Sequence, residues 1–180
     1  DGSFHKNWGI YSGATYEPAT EESVRAGRTT VKLIERYPPE VNHEGWPRLV
    51  RRLASENGFT LPDIDFIVFT QVRKPSIELV MADLGLPMEK THTVMEEWGY
   101  TGSACLGMAF DDAVVRGRVA AGDLVVFVGS GVGYNQAGAA FHVYDTPRSQ
   151  VYGGLTIPPA MAGQVTVEEL FLRTSEPRGV

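Results

Sequence analysis

The sequence is poor in cysteine. Cys105 is the only one among 180 residues, so the chain cannot form an internal disulfide. This fits the reducing cytoplasm, where we expect the protein to reside. Long hydrophobic runs are missing as well, because no apolar stretch approaches the roughly 20 residues that a membrane-spanning helix needs. We therefore expect no membrane span.

Positive charge is also in deficit. The 16 Lys and Arg residues are outnumbered by 22 Asp and Glu, giving a net charge of −6. This balance argues against nucleic acid as a partner, because binding to phosphate backbones depends on Lys and Arg.

Histidine is sparse too, and the four residues are scattered without the spacing of metal ligands. We predict no metal site, and we expect His92 to be a packed or exposed side chain.

The chain does contain enough apolar residues for one domain with a sizeable core, because 43% of its 180 residues are hydrophobic. It opens with DGSF rather than methionine, which leads us to expect a fragment or a processed chain. The segment DIDFIVFTQ has a short apolar run typical of a strand buried on both faces. DLVVFVG (Asp123–Gly129) predicts a second strand, and YNQAGAAFHVY predicts an antiparallel return strand after a glycine loop.

Four helices are predicted around these strands. They cover Thr20–Pro38 with Thr20 as cap, Glu44–Gly58 with Pro47 near its start, Ser76–Gly85, and Gly102–Arg118 with Thr101 as cap. THTVMEEWG is predicted to form another strand leading into a turn. The alternation of helices and strands predicts an α/β layered sheet with helices on its faces.

Three segments occur in a characteristic order. DIDFIVFTQ stands where one family has a strand ending in His-Gln-Ala-Asn, and LGLPMEKTHTVMEEWGYTGSA stands where that family has a Gly-Asn-Thr-Ser-Ala-type turn. DDAVVRGRVAAGDLVVFVGSGVG corresponds to a helix, a G-x-x-x-x-G-D link and a final glycine loop. Over Asp63–Gly138 the sequence thus resembles the C-terminal half of the ketoacyl-ACP synthase III group of the thiolase superfamily.

The resemblance implies a thiolase-like α/β fold, of which this chain is the C-terminal half of a five-layered αβαβα architecture. Residues 1–145 would form the half-domain, and residues 146–180 a tail of undefined packing. In that family the nucleophilic cysteine belongs to the N-terminal half, which would be a partner of this chain. The other partners implied are acyl carrier protein or CoA, and a second copy or a related subunit in a dimer. No cofactor is implied, because a CoA or phosphopantetheine thioester is the substrate.

Two positions depart from the family pattern. Thr70 stands at the place of the family's histidine and Tyr100 at the place of its asparagine, and these are the catalytic candidates. Both side chains can donate a hydrogen bond, but neither can act as an imidazole base near neutral pH. Their presence argues against the usual decarboxylating condensation. It favours an acyltransferase or an atypical condensing enzyme of fatty-acid, polyketide or related metabolism.

Substrate contacts are predicted at four further residues. Gln71 and Arg73 lie in the same turn as Thr70, and Arg73 is either a solvated surface charge or a contact to the phosphopantetheine or CoA group. Gly131 and Gly133 belong to the loop Gly129–Gly133. That loop reads as a structural turn, and in the family its backbone lines the acyl pocket.

Cys105 falls in the first turns of a predicted helix, where the helix dipole can lower a thiol pKa. A lone free cysteine is nevertheless more often a buried, packed residue, and we predict this role. Asp111 and Asp112 are predicted to be solvated helix charges rather than a catalytic pair.

Two further hypotheses for the function remain open. The chain could be a non-catalytic partner subunit of a ketoacyl-synthase-III-like heterodimer, or an unrelated α/β binding domain.

Overall fold

A computed structural model describes residues 2–143 together with the backbone of Val151–Tyr152 and Leu155–Thr156. Most of the segment predicted as a tail, residues 146–180, lies outside the described residues. The helices are α1 (Glu21–Arg25), α2 (Glu40–Asn57), α3 (Lys74–Leu84), α4 (Met95–Trp98) and α5 (Cys105–Val115). The strands are β1 (Trp8–Gly9), β2 (Lys32–Leu33), β3 (Phe66–Phe69), β4 (Leu124–Gly131), β5 (Asn135–His142), β6 (Val151–Tyr152) and β7 (Leu155–Thr156).

The main sheet has the order β3-β4-β5. β3 runs parallel to β4, with Phe66 opposite Val125, and β5 returns antiparallel to β4. All four residues of β3 are buried, as expected for a strand covered on both faces. The predictions for DIDFIVFTQ and for the antiparallel return strand are therefore confirmed.

Each face of the sheet has its own apolar core, because successive strand residues point to opposite faces. Ile67 and Phe69 contact the core formed with α2 and α3, whereas Phe66 and Val68 contact the core that includes Ala109 of α5. Trp46 of α2 is fully buried, and its ring centroid lies 5.2 Å from that of Phe69. The predicted α/β layering, with helices on both faces of the sheet, is confirmed.

A close contact joins α2 to the outer strand β5. Gly45 of α2 lies against the side chain of Gln136, and Gly138 of β5 lies under Leu53. A Cβ added at Gly138 would stand 2.6 Å from Leu53 Cδ1 and 3.1 Å from the Phe127 carbonyl oxygen. Only a residue without a side chain lets the helix approach the strand this closely.

The N-terminal helix prediction is wrong beyond its first turns. Thr20 does cap a helix, in a capping box with Ser23, but α1 ends at Arg25 and the chain then forms β2, which pairs with β1. Val24, Val31 and Ile34 supplied the helical spacing, yet all three side chains are largely exposed. A helical period does not stabilise a helix when its apolar stripe has no surface to pack against.

The strand predicted at THTVMEEWG is also wrong. Thr91 makes a single parallel bridge with Ile67, and the chain then enters α4. The cause lies in Gln71, whose side chain accepts a hydrogen bond from the backbone N–H of Val94 and donates one to the carbonyl of His92. These backbone groups are satisfied by a side chain rather than by a neighbouring strand.

For α2 and α3, the helix ends were predicted better than the helix starts. Gly58 and Gly85 end α2 and α3 in the left-handed conformation that favours glycine. By contrast, α2 begins at Glu40, which places Pro47 inside the helix. The last predicted helix begins with a 3₁₀ turn at Gly102–Ala104 and ends at Val115, and the Thr101 side chain makes no capping hydrogen bond.

Candidate functional site

A cavity of about 540 Å³ lies at the carboxyl ends of β3 and β4. This is where open α/β sheets commonly bind ligands. The segments that follow the two strands provide one wall, through Val72 and Arg73 after β3 and through Ser130 and Gly131 of β4. The opposite wall comes from the N-terminal part of the chain and the start of α2: Trp8, Leu33, Arg36, Tyr37, Pro38, Pro39, Val41 and Asn42.

The charge of the cavity wall is positive. Arg36 and Arg73 are its charged residues, and no Asp or Glu lies among the described residues that line it. The remaining lining is mostly aromatic or aliphatic. A wall of this kind suits an apolar ligand that carries an anionic group, because guanidinium groups bind phosphate and carboxylate oxygens well.

Tyr100 lines this cavity, as the sequence predicted for a site residue. It lies in the turn before α5 and is 43% exposed, and its ring centroid is 6.4 Å from that of Trp8. Burial, together with a smaller electrostatic effect of Cys105, raises the pKa of the Tyr100 phenol above its usual range. The hydroxyl therefore keeps its proton at neutral pH and can donate a hydrogen bond into the cavity.

Thr70 does not line the cavity. Its side chain is buried beneath the cavity floor, and its Oγ1 accepts a hydrogen bond of 2.8 Å from the backbone N–H of Ser130. The hydroxyl thereby ties the end of β3 to β4. A catalytic role for Thr70 stays a prediction, and the described contact gives the residue a structural role.

Gln71 is likewise buried beneath the cavity. Its Nε2 donates to the Phe69 carbonyl at 2.9 Å, and its backbone N–H points at Cys105 Sγ at 3.4 Å. These contacts, with those to His92 and Val94, join β3, the segment before α4 and the start of α5. Cys105 is buried in this network, so it is packed as predicted.

The two loop glycines are placed differently. Gly131 lines the cavity, whereas Gly133 lies behind its wall and donates its N–H to the Tyr37 hydroxyl at 3.1 Å. Tyr37 in turn donates to the Phe4 carbonyl. Of the six predicted site residues, the structure thus brings Arg73, Tyr100 and Gly131 to the cavity. Thr70, Gln71 and Gly133 support the walls.

The sequence interpretation missed three residues of this region. Arg36 and Ser76 line the cavity, and His43 Nε2 lies 3.0 Å from Ser76 Oγ. His43 and Ser76 are 33 residues apart, and no local spacing connects them. Only the packing of α2 against α3 brings them together.

A second cavity, of about 500 Å³, lies on another part of the surface and is lined by both acidic and basic side chains. There His92 Nε2 contacts Asp112 at 2.6 Å, and Arg118 contacts His92 Nδ1 at 2.7 Å. Hydrogen bonds from Arg116 and then from His92 lower the pKa of Asp112. Asp112 thus has an ion pair with Arg116 and a hydrogen-bond contact with His92, so it is partnered rather than simply solvated.

The described part of the chain holds neither a cluster of metal-ligand side chains nor a helix of membrane-spanning character. Among those residues no group of three or more His, Cys, Asp or Glu side chains is placed to hold a metal ion. Nor is any helix there both long and apolar enough to cross a membrane.

Comparison with known proteins gives one consistent result. Residues 54–143 match the family described as 3-oxoacyl-[acyl-carrier-protein (ACP)] synthase III C terminal. The beta-ketoacyl-[acyl-carrier-protein] synthase III of Symbiobacterium thermophilum is 31% identical over 137 residues, covering 74% of this chain and 40% of that protein. Its counterpart in Microcystis aeruginosa is 32% identical over 95 residues, covering 53% of this chain and 28% of that protein.

A solved structure agrees with these matches. The 3-oxoacyl-(acyl carrier protein) synthase III of Pseudomonas aeruginosa PAO1 superposes with a TM-score of 0.69 and 20% identity. The match covers 82% of this chain and 44% of that protein. The chain therefore spans less than half the length of these relatives.

Proposed function

The chain belongs to the 3-oxoacyl-[acyl-carrier-protein] synthase III C-terminal family, and we propose that it is one half of an acyltransferase acting on acyl thioesters. Its fold is the thiolase-like α/β fold of that family. The thioester would be one of CoA or acyl carrier protein in fatty-acid synthesis. Residues 1–145 would form the half-domain, and the N-terminal half would supply the nucleophilic cysteine. Family membership also makes the hypothesis of an unrelated α/β binding domain wrong.

The cavity beside Tyr100 is the observation that carries this proposal. Its volume of about 540 Å³ lies in the range of small-molecule sites. A phosphopantetheine thioester combines a long flexible arm with a phosphate, and the aromatic wall and the two arginines, Arg36 and Arg73, match those two parts. Because Tyr100 and Arg73 were predicted from sequence and lie together here, the cavity is the best candidate for the thioester site.

The donors in the cavity support acyl transfer as the reaction class. Attack of a cysteine thiolate on a thioester places negative charge on the carbonyl oxygen, and a fixed donor stabilises that oxygen. Tyr100 supplies a neutral hydroxyl for this purpose. Neither Tyr100 nor Thr70 can replace an imidazole as base. We therefore favour acyl transfer, or an atypical condensation, over decarboxylating condensation.

The test is acyl labelling. This chain, combined with the half that carries the cysteine, is incubated with acyl-CoA and digested for peptide mass analysis. We expect the acyl mass on a cysteine outside these 180 residues, and Cys105→Ser should label equally well because that thiol is buried. Loss of labelling in a folded Cys105→Ser variant would contradict the assignment.

A second candidate is a non-catalytic subunit that holds the fold and interface for an active related chain. The observation that favours it is the engagement of the Thr70 hydroxyl with Ser130, which leaves the position buried and away from the cavity. In that case the acyl group would appear only on the related chain. Substitutions of Tyr100 would then leave the rate of transfer unchanged.

A further inference from the structure

Ser76 and His43 form a pair at the wall of the cavity. Ser76 Oγ lies 3.0 Å from His43 Nε2, a distance at which a serine hydroxyl donates to a neutral imidazole. Ser76 is only 4% exposed, and it is one of the residues that line the cavity. The serine–histidine pair therefore lies beside the space where an acyl thioester would bind.

The first turns of two helices create this geometry. His43 lies in the first turn of α2, which begins at Glu40, and Ser76 lies in the first turn of α3, which begins at Lys74. The two helices pack against each other over the same core, so their first turns meet beside the cavity. The histidine is half-buried and reaches the serine from behind the cavity wall.

Donors for a developing oxyanion line the same cavity. Arg73 precedes α3 directly, and both Arg73 and the protonated Tyr100 line the cavity with Ser76. A nucleophile hydrogen-bonded to a base, with donors around one cavity, is the arrangement expected of acyl transfer to serine.

We propose that Ser76, with His43 as its base, is an acyl acceptor that hydrolyses thioesters in this cavity. The proposal rests on the proposed function only in that both place an acyl thioester in the same cavity. It requires no cysteine from another half.

The reaction balances with water as the only co-reactant. Ser76 Oγ forms a bond to the thioester carbonyl carbon while its proton passes to His43 Nε2. The carbon–sulfur bond then breaks, and the imidazolium returns the proton to the leaving thiolate, which departs as free thiol. Water, deprotonated by His43, next attacks the serine ester, and the carboxylic acid leaves as the hydroxyl of Ser76 is restored.

A fluorophosphonate tests the nucleophile directly, because it reacts with activated serines and needs no knowledge of the substrate. The full chain is treated with an alkyl fluorophosphonate and mapped by peptide mass analysis. We expect the adduct on Ser76. His43→Gln should slow labelling about 100-fold or more, the usual contribution of a positioned general base. Labelling confined to another residue, or none, would overturn the proposal without any need for a folded Ser76 variant.

Matched controls separate activation from folding. Ser55→Ala removes an exposed serine of the same helix as His43. His142→Gln removes an exposed histidine whose Nδ1 lies 3.0 Å from the Gly122 carbonyl oxygen. Both variants should label at the wild-type rate. A His43→Gln variant that also labels at that rate would overturn the role of His43 as base.

Thioester hydrolysis is measured in a separate assay, as the release of free CoA thiol when the full chain alone is incubated with acyl-CoA. We expect release in the wild type and a loss of at least 100-fold in Ser76→Ala and in His43→Gln. Absence of thiol release would overturn the hydrolysis. The proposed function fails by a different readout, the absence of acyl mass on any cysteine when both halves are present.

Discussion

Tyr100 lines the cavity that we propose as the thioester site, and its hydroxyl is our candidate oxyanion donor. Tyr100→Phe keeps the ring against Trp8 and removes only that donor. Because loss of one oxyanion donor typically costs about 3 kcal/mol, we expect acyl transfer to slow by a factor of about 10² to 10³. The measurement is the turnover of acyl-CoA by the assembled protein, with stability checked by urea unfolding.

Tyr16→Phe is the control for this substitution, because Tyr16 is 98% exposed and lies outside the cavity lining. It should transfer acyl groups at the wild-type rate. An active protein in which Tyr100→Phe has no effect would remove Tyr100 from the catalytic candidates.

Thr70 is expected to affect stability. Thr70→Val preserves shape but leaves the backbone N–H of Ser130 without its acceptor. An unpaired buried donor costs about 1–3 kcal/mol, so the free energy of unfolding should fall by that amount. Thr70→Ser keeps the hydroxyl and should lose less. Equal unfolding midpoints for the two variants in urea would show that the hydroxyl contributes nothing to stability.

The position of a single residue could be predicted from sequence where it stands next to a recognisable strand or helix pattern. Arg73 follows a recognisable strand and Tyr100 precedes a recognisable helix, so their place beside one cavity could be expected. Ser76 and His43 could not be paired in advance, because their contact depends on how α2 and α3 pack. Gln71 was predicted to contact substrate, but it is buried and its side chain hydrogen-bonds to three backbone groups. Two of these groups lie more than 20 residues away, so the sequence around Gln71 could not reveal them.

At the scale of elements, the contact between α2 and β5 depends on a missing side chain. Gly138→Ala places a methyl group against Leu53 and the Phe127 carbonyl. Overpacking of this kind typically costs about 1–3 kcal/mol, and we expect that loss in the free energy of unfolding. The measurement is chemical denaturation of the chain followed by circular dichroism.

Gly107→Ala is the matched comparison, because Gly107 lies within α5 and an added Cβ would meet no atom within 4 Å. Alanine should stabilise the helix by up to about 1 kcal/mol. If both alanine variants change stability in the same direction, the close approach of α2 to β5 is not the reason why position 138 requires glycine.

Helices and strands were predicted correctly when a local sequence pattern marked them and their apolar residues pack into the core. The apolar run of β3 and the glycines after α2 and α3 belong to this class. The helix predicted at Thr20–Pro38 failed because its apolar residues face outward. The strand predicted before α4 failed because the side chain of Gln71 satisfies the backbone there. Both errors come from contacts between segments distant in sequence.

At the scale of the whole molecule, the described structure leaves large apolar side chains in solvent. The exposed fractions of Val72, Leu79, Trp98, Tyr100 and Val115 lie between 43% and 66%. Exposed apolar side chains that join into one continuous patch are characteristic of a contact with another protein. We expect the chain alone to self-associate or to bind a hydrophobic dye, and to form a defined complex when the other half is present.

Light scattering after size exclusion measures this association. The control is a chain in which Ala replaces Trp98 and Val115, which should reduce dye binding because two exposed apolar side chains are shortened. A fully folded, monodisperse monomer without dye binding would contradict the idea that this surface is made to be covered.

The cavity wall has two origins in the chain. Trp8, Leu33 and Arg36 lie before the residues that match the family, which begin at residue 54, whereas Tyr100 and Gly131 lie within them. Mutations in the first group alter the lining of the cavity without touching the β3-β4-β5 sheet, which carries both apolar cores. Selection can therefore change which molecules enter while that sheet is inherited unchanged. An engineer seeking new substrate preferences should vary Trp8, Leu33 and Arg36 first and leave the strands of the main sheet alone.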